Sequence, residues 1–425
     1  MHISLTALLF ALSRALDFVE KELLGTTAKH GKRVAYICLR LHEALGFTAS
    51  ARFDLVSCAI LHDCALPAGI VKHGKTYLSK LESDLVHCRE GEKHAVNFPF
   101  LDDVSGVILH HHENWDGTGY HELKGDDIPL RATLLRLADN LDLHLHLGDG
   151  RKNLASEIIK HVQEFSGSLY APRVAQTLLD ILDEDFIQSL GDARIDDALA
   201  DSLQDISREL STDEVLLVCN IFAMIIDAKS PFTSTHSQGI ARKACFLGKT
   251  YGFAQEHCNK LSIAGFLHDI GKLSTPLSIL EKPGTLDKDE WVIMRNHVAV
   301  SLDILSSIQG LEEVSTWACD HHETLDGKGY SRGHGANELP FESRLMACCD
   351  IYQALNEDRP YRPGMHRDKI LQIMRGMAAN NKLDTSVVEH IAEVLPAYDS
   401  ETYQGPATAL TSISACALGT RTLVC

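Results

Sequence analysis

Residues 261–273 read LSIAGFLHDIGKL, an apolar run that ends in His268 and Asp269 and continues through Gly271 and Lys272. Leu261, Ala264, Gly265 and Leu267 follow helical spacing, so the stretch reads as a core-facing helix. An imidazole and a carboxylate at the end of such a helix are costly to bury unless something satisfies them, and a metal ion is the simplest candidate. Neighbours on a helix diverge by about 100°, so His268 and Asp269 are not expected to grip one ion as a chelate. They are expected to face different sides of a two-metal cluster, with the carboxylate bridging. The alternative is a chance His-Asp dipeptide, and the rest of the chain decides between the two.

At 425 residues the chain has room for two domains, each with its own core. A formal charge of -18 argues against a nucleic-acid polymer or an anionic membrane as partner. An anionic ligand must then be attracted by metal ions or a few basic groups. The twelve cysteines include no C-x-x-C pair, and Cys58, Cys219 and Cys245 lie in apolar runs. That pattern suggests buried thiols in a reducing cytoplasm. Near the N-terminus, Leu5, Leu8, Leu9, Leu12, Leu16, Val19 and Leu23 mark one helical face, interrupted by Arg14, Asp17 and Glu20. This is expected to be an amphipathic structural helix, and a candidate homodimer interface, in preference to a signal segment. No run of 18 apolar residues is present, so no membrane span is expected.

The key stretch has a twin. LVSCAILHDCAL carries His62 and Asp63, and the intervals around the two pairs match. His30 to His62 and His236 to His268 are both 32 residues; His87 to His111 and His297 to His321 are both 24. His111 to Asp139 is 28 against 29 for His321 to Asp350, and only the interval after the His-Asp pair differs more, 25 against 29. This is an internal duplication. Each copy ends in a similar helical stretch, starting at Gly167 and at Asn381. Between the copies, residues 183–214 hold 11 acidic residues against Arg194 and Arg208, with Ile195, Leu199, Leu203, Ile206 and Leu210 at helical spacing. The expected fold is all-α: two tandem helical bundles over 1–182 and 211–400, an acidic helical connector over 183–210, and a disordered tail over 401–425.

In the second copy, His236, His268, Asp269, His297, His321, His322 and Asp350 supply five imidazoles and two carboxylates. A single zinc takes about four ligands, so seven imply a binuclear centre. Imidazole and carboxylate without thiolate suit iron or manganese, while nickel, cobalt, magnesium and zinc are not excluded.

Taken together, PFTSTHS around His236, HDIGK at His268, EKPGTLDKDEW before His297, HHETLDGKGY from His321 and NEDRPYRP from Asn356 resemble the HD-GYP family. These are metal-dependent phosphodiesterases of cyclic dinucleotides within the HD superfamily, and the resemblance runs from about Ser211 to Leu395. It implies that Asp269 bridges two metals and that Arg359 and Arg362 contact substrate. Lys272, one turn beyond Asp269, is expected to reach the phosphate as a point charge. Tyr330 is expected to stack or hydrogen-bond, with a structural role as the alternative. Hydroxide held between two metals would attack phosphorus in line and release a linear dinucleotide. Cyclic di-GMP is the family's default substrate, and some relatives prefer 3',3'-cyclic GMP-AMP.

Three positions depart from the family pattern. Gly-Tyr-Pro reads Gly329-Tyr330-Ser331, Phe232 stands where trinuclear members have a glutamate, and Gln353 where many have a second aspartate. The last two argue for two metals in preference to three. The first copy keeps a candidate for every ligand: His30, His62, Asp63, His87 or His94, His111, His112 and Asp139. It lacks the substrate grip, since Leu66 stands at the Lys272 position and LHLHLGDG follows Asp139. It is therefore expected to be regulatory or structural. Rival readings are a receptor that binds a cyclic dinucleotide, or senses metal or redox state, without catalysis, and another HD-superfamily nucleotide phosphohydrolase.

Overall fold

The computed structural model describes residues 3–47, 49–68, 86–203, 208–230, 235–358 and 363–399. It is helical almost throughout; strand among the described residues is confined to the two-residue segments Ile3–Ser4 and Glu209–Leu210. The described residues form two compact units, one over Ser4–Glu209 and one that takes in Ile3 and the residues from Leu210.

Each unit repeats one order of helices. Leu5–Leu24, His30–Ala44, Ala49–Leu61, Val86–Ala95, Leu130–Leu145, Leu154–Phe165 and Pro172–Ile181 form the first series. Thr212–Ala228, His236–Thr250, Gln255–Leu267, Lys288–Leu305, Phe341–Asn356, Arg367–Ala379 and Thr385–Asp399 form the second, with the shorter Glu312–Cys319 helix between its fourth and fifth members. Local sequence sets the boundaries. Ser211 and Glu214 close a capping box at one helix start, as Asp287 and Glu290 do at another, each worth about 1 kcal/mol. The helices that present the site in the second unit, His236–Thr250 and Gln255–Leu267, pack directly on each other. A Cβ at Gly265 would lie 2.6 Å from the backbone of Ala241, so this close crossing requires glycine.

The N-terminal helix buries Leu5, Leu8, Leu9, Leu12, Leu16 and Val19 in its own unit. The acidic segment folds back in the same way. It forms two short helices, Glu184–Ser189 and Ile195–Ser202, with Phe186, Leu190, Ile195 and Leu199 buried. Asp192 pairs with Arg33, and Asp196 with both Lys29 and Lys32. The expected apolar stripe is buried at Ile195, Leu199, Leu203 and Leu210, and Gly191 and Asp192 lie between the two helices. No described helix is long and apolar enough to cross a membrane. All ten described cysteines are buried and unbridged.

In the first unit His42 lines a cavity of about 300 Å³ with Phe47, Pro129, Arg131 and Leu134. Burial, with Arg131 and Arg52 adding to it, pushes its imidazole down to about 4. Unfolded, the same ring protonates near 6.5, so between these values the unfolded chain binds the extra proton. The group therefore costs nothing above pH 6.5 and destabilises the unit increasingly as pH falls toward 4. Replacing His42 by Phe should flatten the fall of the urea midpoint over that window. Equal slopes for variant and wild type would contradict the assignment.

Candidate metal centre

The α-helix Gln255–Leu267 stops just before the His-Asp pair. His268 is its C-cap, Asp269 takes φ -103° and ψ 14°, and a 3₁₀ turn follows over Ile270–Ser274. This change of pitch overturns the expected divergence of the two side chains: His268 Nε2 lies 3.0 Å from Asp269 Oδ2. A 3₁₀ turn stacks residues i and i+3, which lays the Lys272 ammonium on the same carboxylate. The turn is pressed against the helix that carries His297. A Cβ at Gly271 would sit 1.9 Å from the His297 carbonyl oxygen, so no larger residue fits.

All seven expected second-unit ligands come together. Asp269 Oδ2 faces His268 at 3.0 Å and His236 at 4.0 Å, while Oδ1 faces His297 at 3.4 Å and His321 at 3.7 Å. Asp350 Oδ1 is 3.2 Å from His236 Nε2. Donor atoms within 4.8 Å of one another form three overlapping sets: His236, His268 and Asp350; His268, Asp269 and His321; His297, His321 and His322.

The ring orientations test whether a cation fits. Nδ1 of His268, His297 and His321 lies 3.0, 2.6 and 2.6 Å from the carbonyls of Gly265, Met294 and Ala318. Each carbonyl fixes a proton on Nδ1 and turns the Nε2 lone pair inward. Those three Nε2 atoms and Asp269 Oδ1 are buried with no hydrogen-bond partner. Leaving such groups unsatisfied costs about 1–3 kcal/mol each. A divalent cation satisfies them together, and the residues fit one.

Charges within the cluster compensate one another. Burial alone would raise Asp269, but His268 and Lys272 hold it well below the usual carboxylate range. Burial likewise opposes the charge on Asp350, and His236 outweighs it and keeps that carboxyl ionised. His236 itself is lifted to about 9, because Asp350 and Glu357 overcome its burial. Burial lowers His297 and His321 and brings His322 down to about 3. These three rings are thus neutral, the form that ligates.

The first unit reproduces the arrangement. Asp63 faces His62 through Oδ2 at 3.5 Å, and His87 and His111 through Oδ1 at 3.6 and 3.9 Å. Asp139 Oδ1 lies 3.3 Å from His30 and 3.6 Å from His62. His112 Nε2 is 3.0 Å from His87 Nε2. His87 enters the donor groups and His94 does not.

Several residues here escaped the sequence reading. Asp142 takes the proton of His30 Nδ1 at 2.7 Å and is gripped by Arg33. It stands three residues after Asp139, at the position equivalent to Gln353. In the first unit that position serves the outer face of His30. In the second unit Gln353 meets Lys243, and Glu357 takes over the contact to His236 Nδ1 at 2.9 Å. Glu357 lay inside a quoted motif, so a signal existed without its role.

The loop after His322 is held by Glu323, whose Oε1 accepts from the backbone of Arg332 and Gly333 at 2.6 and 3.0 Å. Tyr330 stacks on His322 with ring centroids 4.6 Å apart. The Arg295 guanidinium lies 5.1 Å from the Tyr330 ring centre and 5.5 Å from that of Trp291, itself 45 % exposed. Among the described residues Arg295 meets no carboxylate. Phe232, Arg359 and Arg362 lie outside the described residues.

Ser331 has φ +134°. Proline is locked near -65°, so the serine holds a backbone that proline cannot adopt. Holding a non-glycine residue there costs roughly 1–3 kcal/mol. Ser331→Gly should raise the thermal midpoint of the second unit by a few degrees, and Ser331→Pro should lower it, both read by calorimetry.

The HD domain family model matches residues 13–174 and again residues 220–387. A 3'3'-cGAMP-specific phosphodiesterase 1 of Vibrio cholerae is 31 % identical over 407 residues, covering 92 % of this chain and 91 % of the relative. A cyclic di-GMP phosphodiesterase response regulator of Xanthomonas campestris is 32 % identical over 35 % of this chain and 40 % of its own length. The crystal structure of a cyclic GMP-AMP phosphodiesterase of V. cholerae, V-cGAP3, superposes with a TM-score of 0.62 over 93 % of this chain and 98 % of that one. At 23 % identity that likeness speaks for the fold. With one family match in each unit and a relative aligned along nearly its whole length, the chain belongs to the HD domain family, on its HD-GYP branch, with the domain present twice.

Proposed function

We propose that the second unit hydrolyses a cyclic dinucleotide to the linear form, with 3',3'-cyclic GMP-AMP preferred over cyclic di-GMP. The observation that carries the reaction is Asp269: a buried carboxylate whose two oxygens face two separate sets of inward-turned imidazoles. That geometry suits a carboxylate bridging two divalent ions, iron or manganese by the hardness of the donors. His236, His268 and Asp350 would hold one ion, and His297, His321 and His322 the other. Bound there, such ions supply Lewis-acid polarisation of the scissile phosphate and a nucleophile at neutral pH.

The chain's own residues do the positioning. Water adds to phosphorus, the bond to one 3'-oxygen breaks, and that oxygen leaves with a proton. Lys272 stands beside Asp269 as a cation that can turn from the carboxylate to a phosphate oxygen. Burial keeps the Tyr330 phenol protonated, so it is a hydrogen-bond donor. Arg295, held between two aromatic faces, offers a planar fork to the second phosphate or to a base edge. In a chain of net charge -18, these cations and the metals are the natural anion site.

The substrate preference rests on architecture. The 3'3'-cGAMP-specific relative aligns along 92 % of the chain, whereas two cyclic di-GMP relatives align over 35 % and 34 %. The first unit we assign a regulatory role, because Leu66 stands where the second unit has Lys272. Buried unbridged thiols suit a cytoplasmic protein.

Purified protein loaded with manganese or iron should convert 3',3'-cyclic GMP-AMP to a linear dinucleotide faster than cyclic di-GMP or cyclic di-AMP. No turnover of any of the three with either metal sinks the proposal. Asp269→Ala should abolish turnover and paired metal uptake, while Asp63→Ala leaves the basal rate intact. The reverse result would move the reaction to the first unit. Arg295→Ala should raise KM about tenfold or more with a smaller change in kcat, the scale of one lost charge-assisted contact. An unchanged KM would remove Arg295 from the substrate site.

A further inference from the structure

The half-site around His87 differs from its counterpart around His297 at several positions, among them two next to the ligands. Counting from matched ligands, Cys88 stands where the second unit has Val298, and Arg136 stands where it has Ala347. Both differences bear on metal binding.

Cys88 Sγ lies 3.3 Å from His87 Nε2 and 3.7 Å from His111 Nδ1. A tetrahedral zinc with its usual sulfur and nitrogen bond lengths spaces its donors about 3.3–3.6 Å apart. The thiol is therefore already at ligand spacing from His87. His111 points its other nitrogen inward: Nδ1 lies 2.6 Å from the Ile108 carbonyl, and Nε2 is buried with no hydrogen-bond partner. The donors of His87, Cys88, His111 and His112 lie within 4.8 Å of one another, and Asp63 Oδ1 is the adjoining carboxylate oxygen, 3.6 Å from His87 Nε2 and 3.9 Å from His111 Nε2.

Arg136 acts on the remaining histidine. Its buried guanidinium lies 3.4 Å from His112 Nδ1 and donates to Asn114 Oδ1 at 2.9 Å. A guanidinium never accepts a hydrogen bond, so this contact favours Nδ1 of His112 as acceptor and the ring proton on Nε2, 3.0 Å from His87 Nε2. That tautomer cannot ligate through Nε2. In the second unit Ala347 offers His322 no such donor.

We propose that Cys88 replaces His112 as a ligand, so that His87, Cys88, His111 and Asp63 form a closed four-ligand site for a soft divalent cation, zinc above all. On binding, the Cys88 thiol gives its proton to solvent and its sulfur forms the bond to the metal. A thiolate donor favours zinc over manganese or magnesium. Four protein donors leave no open position for water or substrate. The first unit thus holds its metal without turning anything over, which is a stronger reason for inactivity than the absent lysine. The inference concerns the first unit alone and stands whatever the second unit hydrolyses.

Cobalt(II) titrated into metal-free full-length protein provides the test, read by absorption and by bound equivalents. Wild-type protein should show a near-ultraviolet thiolate-to-cobalt charge-transfer band. Cys88→Val, which installs the residue the second unit already carries at this position, should lose that band and keep the turnover of the second unit. Cys64→Ala should keep the band, and His112→Ala should keep both band and bound cobalt. Three outcomes overturn the proposal: a band that survives Cys88→Val, cobalt bound in the first unit with no such band, or no cobalt lost on Asp63→Ala.

Discussion

A carboxylate buried among imidazoles has no water to solvate it, and the organisation of each unit follows from that constraint. Asp269 is 2 % exposed and Asp63 5 %. Asp269 stays charged in an apolar core because several partners compensate it, since an isolated buried carboxylate would take up a proton instead. The helices of each bundle deliver those partners from scattered positions: a helix start at His236, a helix end at His268, mid-helix sites at His297 and Asp350, and a helix-to-loop junction at His321 and His322. Glycines at 265 and 271 let the backbones approach closely enough for the side chains to converge. Enlarging either would separate the partners before it touched any of them.

The two units answer the constraint differently. In the second, a lysine stands beside the carboxylate, where a polyanion could compete for it. In the first, Leu66 is fully buried at that place, and the compensating charge lies behind the ring of His30, as Arg33 gripping Asp142. Charge in front of a metal can be lent to a ligand, whereas charge behind it can only fix the geometry. The same fold is open on one side and locked on the other.

The clustering of these histidines and aspartates was readable from sequence because a buried polar cluster needs particular side chains at intervals set by helix lengths, and the duplication printed those intervals twice. The overall helical architecture followed from the same periodicity. What could not be read depends on contacts between segments distant in sequence. The switch from α to 3₁₀ geometry at Asp269 is tied to the His297 carbonyl packed on Gly271. The carboxylate behind the first histidine sits at Asp142 in one unit and one helical turn later, at Glu357, in the other. A position-by-position comparison scores that as a loss at 353, although the contact is kept. Ser331 read as a missing proline, yet its backbone is one that proline cannot adopt.

The acidic segment that follows the first repeat has a bearing on synthesis. Arg33, Lys29 and Lys32 find Asp192 and Asp196 more than 150 residues later, within the same unit. As the chain leaves the ribosome, all six helices from Leu5–Leu24 to Leu154–Phe165 can form before those anions exist. Arg33 meets Asp142 earlier, but Lys29 and Lys32 await Asp196, which emerges only a short step before the helix Thr212–Ala228 begins the second bundle. Completion of the first unit and nucleation of the second are thus close in time, which limits the interval in which a half-finished first repeat could pair its helices with the similar ones that follow.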